Sequence, residues 1–184
     1  MLKIAIVGNI ASGKSTVEDL IKSNGYKVFD TDKIAHKILE NNQEVKAIFG
    51  TTDRKKLAQI VFSDKEKLKV LESIIHPQVK KEILEIFKLD EKIVFISVPQ
   101  LFESGFDSLF DKIIFISADE NLRLERLIKR NNLSQEEALK RISAQMSEEE
   151  KILKSDFVIK NNSNLESLKK EVENLLTKLL APTI

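Results

Sequence analysis

Residues 8–15, Gly8-Asn9-Ile10-Ala11-Ser12-Gly13-Lys14-Ser15, follow the spacing G-x-x-x-x-G-K-[ST]. Glycine at the two fixed positions lets the backbone turn tightly, so that its N–H groups point inward toward an anion. Lys14 can then reach the β- and γ-phosphates of a nucleotide, and the Ser15 hydroxyl is placed to ligate a bridging Mg²⁺. Only five glycines occur in the chain, and two of them hold the motif's fixed positions. The match is therefore no by-product of a glycine-rich composition.

Other chemistry-bearing residues gather further along. Asp30 and Asp32 flank Thr31, and carboxylates at alternate positions of an extended segment project from one side. One of them could accept a hydroxyl proton; alternatively, Thr31 or Asp32 caps a helix starting near Lys33. Of 30 basic residues only five are arginine, yet Arg123, Arg126, Arg130 and Arg141 lie close together. On a helix the first three span about 60° of one face. That face either presents guanidinium forks to a phosphoryl group under a closing lid, or is solvated and paired with Glu120 and Glu125. His76 precedes Pro77, where a helix break is expected. His36 reads the same way, as a structural residue. Glu103 follows the apolar run Ile93 to Val98 and is either a site carboxylate or a surface acid.

Strands and helices must position these groups. Apolar runs at 2–7, 26–29, 93–98, 113–116 and 157–159 alternate with helical patterning, which predicts a five-stranded, mostly parallel sheet flanked by helices. Residues 16–23 and 165–180 read as helices. The long helical stretch between the second and third strands forms an inserted lobe. The segment from about 121 to 153 forms a second helical excursion. In this architecture ligands bind beyond the carboxyl ends of the strands, where Gly8, Asp30 and Val98 all lie.

The chain has 184 residues, 42% of them hydrophobic and 32% charged, which fits one folded domain. The expected boundaries are a core of 1–30, 90–118 and 155–184, a lobe of 31–89 and a lid of 119–154. A formal net charge of +1 gives no broad positive surface, so no nucleic-acid partner is expected. Without cysteine there is no disulfide frame, thiolate zinc site or cysteine nucleophile. No run approaches the roughly 20 apolar residues that cross a bilayer, so a cytoplasmic protein with no membrane partner is expected. No Asn-Lys-x-Asp guanine reader occurs, and the third strand ends in Pro99-Gln100 rather than an acid. Small-molecule phosphoryl transfer is thus favoured over a GTPase or motor.

Together these segments resemble the dephospho-coenzyme A kinase family. The stretches that carry the resemblance are the Gly8 to Ser15 loop with Thr16-Val17, Asp30-Thr31-Asp32 with Ile34-Ala35-His36, His76-Pro77, Val98 to Gly105, Arg126 with Arg130, Arg141-Ile142 with Gln145, and Asp156 to Asn161. The resemblance implies a P-loop kinase fold, ATP and Mg²⁺ as cosubstrates, and phosphorylation of the ribose 3′-hydroxyl of dephospho-coenzyme A. It implies Asp32 as base, with Lys14, Arg126 and Arg130 as the other catalytic groups. Gly8, Ala11, Ser12, Gly13, Lys14, Ser15, Thr16, Arg141 and Asn161 would bind ATP, Asn161 beside the adenine, and Ser15 would hold Mg²⁺. Asp30, His76 and Glu103 would face the acceptor in the inserted lobe. A monomer or weak homo-oligomer is expected. The alternatives are another small-molecule kinase of the nucleoside monophosphate kinase class, or a non-catalytic nucleotide-sensing module. Asn9 and Ala11 stand where the family commonly has glycine, Gln100 replaces a leucine, and Ser155 and Lys160 replace an alanine and an aspartate. Ala11 is expected to avoid a positive φ, because that region is costly for an L-residue.

Overall fold

In the computed structural model, residues 1–62 and 64–180 are described, so 181–184 of the expected core and position 63 of the expected lobe lie outside the described residues. The opening apolar run is strand β1, Leu2–Gly8, buried from Ile4 onward because both of its faces are covered. β2 is Val28–Asp30, β3 Ile93–Ser97, β4 Lys112–Ser117 and β5 Phe157–Lys160. Their order is β2-β3-β1-β4-β5, with β1 parallel to β3 and β4, and β4 parallel to β5. The chain adds strands first on one side of β1 and then on the other. The carboxyl end of β1 is therefore the point where the strand order reverses and a crevice opens.

Helix α1, Lys14–Ser23, leaves that point at once. It packs on one face of the sheet with the C-terminal helix, Leu165–Leu180, through Val17, Ile21, Leu168 and Val172 against Ile4, Ile6, Phe95 and Ile116. Burial of such branched side chains is worth about 1.5–3 kcal/mol each.

The chain divides into two compact units, 1–29 with 92–184, and 30–91. The second is helical: α2, Thr31–Glu40; α3, Gln43–Phe49; α4, Arg54–Phe62; and α5, Lys65–Ile86. Its own core is Leu39, Val45, Leu57 and Ile74. Pro77 does not break α5, contrary to expectation. Ile74, Val79 and Ile83 are buried on both sides of it, and their burial exceeds the roughly 3 kcal/mol that an interior proline costs.

In the first unit, α6, Glu120–Asn131, α7, Gln135–Ser143, and α8, Glu148–Leu153, follow β4. The C-terminal helix is α9. Ser134 and Glu137 close a reciprocal cap on α7. The Ser134 backbone N–H, and after it the hydroxyl, holds the Glu137 carboxyl below its ordinary value.

Candidate active site

The phosphate loop connects β1 to α1 as the motif requires. Gly13 is the N-cap of α1 at φ 89°, a left-handed conformation suited to glycine. A Cβ at Gly13 would collide with the Asn161 side-chain amide. One at Gly8 would sit 2.6 Å from Ser12 Oγ and 3.2 Å from the Ile116 carbonyl. No side chain caps α1, and its first turn carries no acid. The positive end of the helix and its first N–H groups thus remain for an anion.

Ala11 does adopt a positive φ, 62°, which corrects the sequence expectation. Ala11 and Ile10 pack against the cluster formed by Leu127, Ala138 and Ile142 of α6 and α7, and that contact holds the strained residue in place. Left-handed backbone costs an alanine about 1–2 kcal/mol. Ala11→Gly would relieve that cost, but would lose a partly buried methyl worth at most about 0.8 kcal/mol and add about 0.4–1 kcal/mol of unfolded-state entropy. The terms nearly cancel, so urea unfolding should place the variant within about 1 kcal/mol of the parent. A stabilisation of several kcal/mol would show that packing does not hold Ala11.

Lys14 Nζ donates to Glu18 Oε1 at 2.7 Å and to Ser97 Oγ at the end of β3. Ser15 and Thr16 are exposed in the first turn of α1. The Ser12 side chain is buried, and its Oγ has no hydrogen-bond partner among the described residues. Across the loop, Asn161 Nδ2 donates to the Ser12 carbonyl at 2.8 Å, while the Asn161 carbonyl accepts from Arg126 Nη2 at 3.1 Å. Arg126 Nη1 also reaches the Ala11 carbonyl, at 3.5 Å. The Ile10 N–H donates to Gln145 Oε1 at 2.7 Å. Loop, α6, the segment after α7 and the end of β5 are thereby laced together.

Residues that the sequence reading did not single out complete this lacing. Asn162 exchanges hydrogen bonds with Asp119, the N-cap of α6. Glu18 could have been found from its i,i+4 spacing to Lys14, and Ser97 as the polar end of an apolar strand. Lys151 gave no sequence signal, yet it is fully buried, with Nζ 2.9 Å from Glu103 Oε1.

The three arginines of α6 do not present three equivalent forks. Arg123 is buried, donates from Nε to the Ala118 carbonyl at 3.1 Å and lies 3.8 Å from Glu148. Arg126 faces the loop. Arg130 is exposed and bonds Asn131. Angular clustering fixes a face, but seven residues also separate Arg123 from Arg130 by about 10 Å along the axis. Arg141 is exposed in the last turn of α7. A cavity of about 590 Å³ opens beside the loop, lined by Asn9, Arg123, Gln145 and Glu148 among others.

In the helical unit, Asp30 caps α2, accepting from Asp32 N at 2.9 Å and Lys33 N at 3.4 Å. Neither Thr31 nor Asp32, the caps offered as the alternative reading, is the N-cap. Asp32 is exposed in the first turn. His76 is half-buried within α5. His36 lines a cleft of about 760 Å³ with Lys46, Arg54 and Lys55.

A parallel five-stranded sheet whose central strand ends in this loop, with the motif's Lys14-Ser15 pair opening the next helix, defines a P-loop kinase. The fold is shared with proteins as remote as a shikimate kinase from Bacteroides thetaiotaomicron (TM-score 0.56, 13% identity, 96% and 98% of the chains covered). More specifically, the chain belongs to the dephospho-CoA kinase family, whose model matches residues 2–167. It is 46% identical over 184 residues to the dephospho-CoA kinase of Fusobacterium nucleatum, covering 92% of this chain and 94% of that one. It is 40% identical to that of Listeria monocytogenes, covering 96% of each. The structure of dephospho-CoA kinase from Campylobacter jejuni superposes with a TM-score of 0.76 at 36% identity, covering 96% of each chain.

Proposed function

We propose that this protein transfers the γ-phosphoryl group of ATP to the ribose 3′-hydroxyl of dephospho-coenzyme A, giving coenzyme A and ADP. The observation that carries this reading is the uncapped, glycine-turned start of α1, with Lys14 beside it, in a chain of the dephospho-CoA kinase family. Loop N–H groups and Lys14 grip the triphosphate, and Arg126 and Arg130 in the lid, 119–154, face its charge. Asn161 borders the adenine, and Arg141 joins the nucleotide contacts. The lobe, 31–89, receives the acceptor, with Asp30, His76 and Glu103 on the acceptor side.

Asp32 takes the proton of the 3′-hydroxyl as its oxygen forms a bond to the γ-phosphorus. The bond from that phosphorus to the β,γ-bridging oxygen breaks, and ADP leaves with the electron pair. The Ser15 hydroxyl suits Mg²⁺, which takes few protein ligands and completes its shell with phosphate oxygens and water; no cluster of three acids or histidines competes for it among the described residues. When bound, Mg²⁺ would neutralise charge on the phosphate oxygens. The same reading makes the protein a cytoplasmic monomer or weak homo-oligomer without a nucleic-acid partner. Among the described residues, no helix is long and apolar enough to cross a membrane.

A coupled ADP-release assay tests the reaction. ADP should form only when dephospho-coenzyme A is present. Turnover with nucleoside monophosphates instead would favour another acceptor, and tight ATP binding with no product from any acceptor would mark a sensing module.

A further inference from the structure

Lys151 is among the largest fully buried side chains of the protein. An ammonium group is seldom buried unless paired, because removing it from water costs several kcal/mol. Its partner is Glu103 Oε1 at 2.9 Å, an ion pair without hydrogen-bond alignment. Glu103 belongs to the turn after β3 and keeps about a third of its side chain exposed. The next lysine after α8, Lys154, lies over the ring of Phe102, 5.5 Å from its centre. Two cations from one short segment thus hold two successive residues of one turn.

The segment itself is fixed. At its start Glu148 accepts from Ser117 Oγ at the end of β4 and lies 3.8 Å from Arg123. At its end Ser155 Oγ donates to the Lys151 carbonyl at 2.7 Å. An apolar side chain of similar length would fill the space occupied by Lys151 without the desolvation cost. What it could not do is hold a carboxylate.

We infer that Lys151 is a positioning residue: its buried ammonium fixes Glu103 at the carboxyl edge of the sheet, with the remaining carboxylate surface presented to a hydroxyl group of the ribose acceptor. The inference rests on the kinase reading above and gives the lid segment a part in acceptor recognition.

Steady-state kinetics on the full chain test it, varying dephospho-coenzyme A and ATP separately. Lys151→Met should raise the KM for dephospho-coenzyme A about tenfold and leave that for ATP within about twofold, since coupled side chains interact by amounts of this order. Glu103→Gln should do the same, and the double variant should be no worse than either single one. Multiplying losses in the double variant would overturn the inference, as would equal rises in both KM values. If Glu103→Gln raises the acceptor KM but Lys151→Met does not, the role of Lys151 falls and that of Glu103 stands. If Glu103→Gln changes nothing, both fall. A parent protein inactive on dephospho-coenzyme A would instead overturn the kinase reading itself. Lys151→Gln, uncharged but polar, is read by the same criteria should the methionine variant fail to fold.

Discussion

Asp32→Asn is expected to lower turnover of dephospho-coenzyme A by about 10²-fold or more, while ATP affinity stays within about twofold. Asparagine keeps the size of the side chain but cannot take up a proton from the attacking alcohol. The side chain that caps α2 is Asp30, and Asp32 contributes only its backbone N–H to that cap. Loss of an acid from the first turn of α2 should itself cost about 0.3–1 kcal/mol through the helix dipole. Circular dichroism, nucleotide titration and single-turnover rates on one preparation separate these quantities. Near-parental turnover would remove Asp32 from proton transfer.

Lys14→Met should lower kcat by about 10²- to 10³-fold and also raise the KM for ATP, because it deletes a fixed cation from the path of the phosphoryl group. Here stability is affected too. The Glu18 side chain is 7% exposed and pairs with Lys14 at 2.7 Å, so the variant leaves a nearly buried carboxylate unmatched, at about 1–3 kcal/mol. Adding Glu18→Gln should restore the unfolding midpoint without restoring catalysis. If the second substitution brought activity back, Lys14 would be acting through the fold rather than on the nucleotide.

Much of the architecture could be read from local pattern, and the failures share one cause. Strands β1, β3 and β4 are buried along most of their length, and their apolar runs mark them within a residue or two; the edge strand β5, with Val158 and Lys160 exposed, is still marked by its short apolar run. β2 is short and only half-buried, so its apolar run at 26–29 shifted the expected strand toward the N-terminus. Pro77 was read by its local cost, which burial of Ile74, Val79 and Ile83 outweighs. Ala11 was read by its intrinsic backbone preference, which packing against Leu127 and Ile142 overrides. The loop and its turn into α1 were legible because residue type and spacing define them. Arg123 and Lys151 were not, because their partners, Glu148 and Glu103, are brought to them only by the tertiary fold.

The strut from Asn161 to the Ser12 carbonyl bridges 149 positions of sequence. Translation makes the nucleotide loop well before the asparagine that braces it. A nascent chain stalled before residue 161 thus carries the complete loop motif without its far brace or its contact to Arg126. Nucleotide capture should switch on only as β5 and Asn161 emerge.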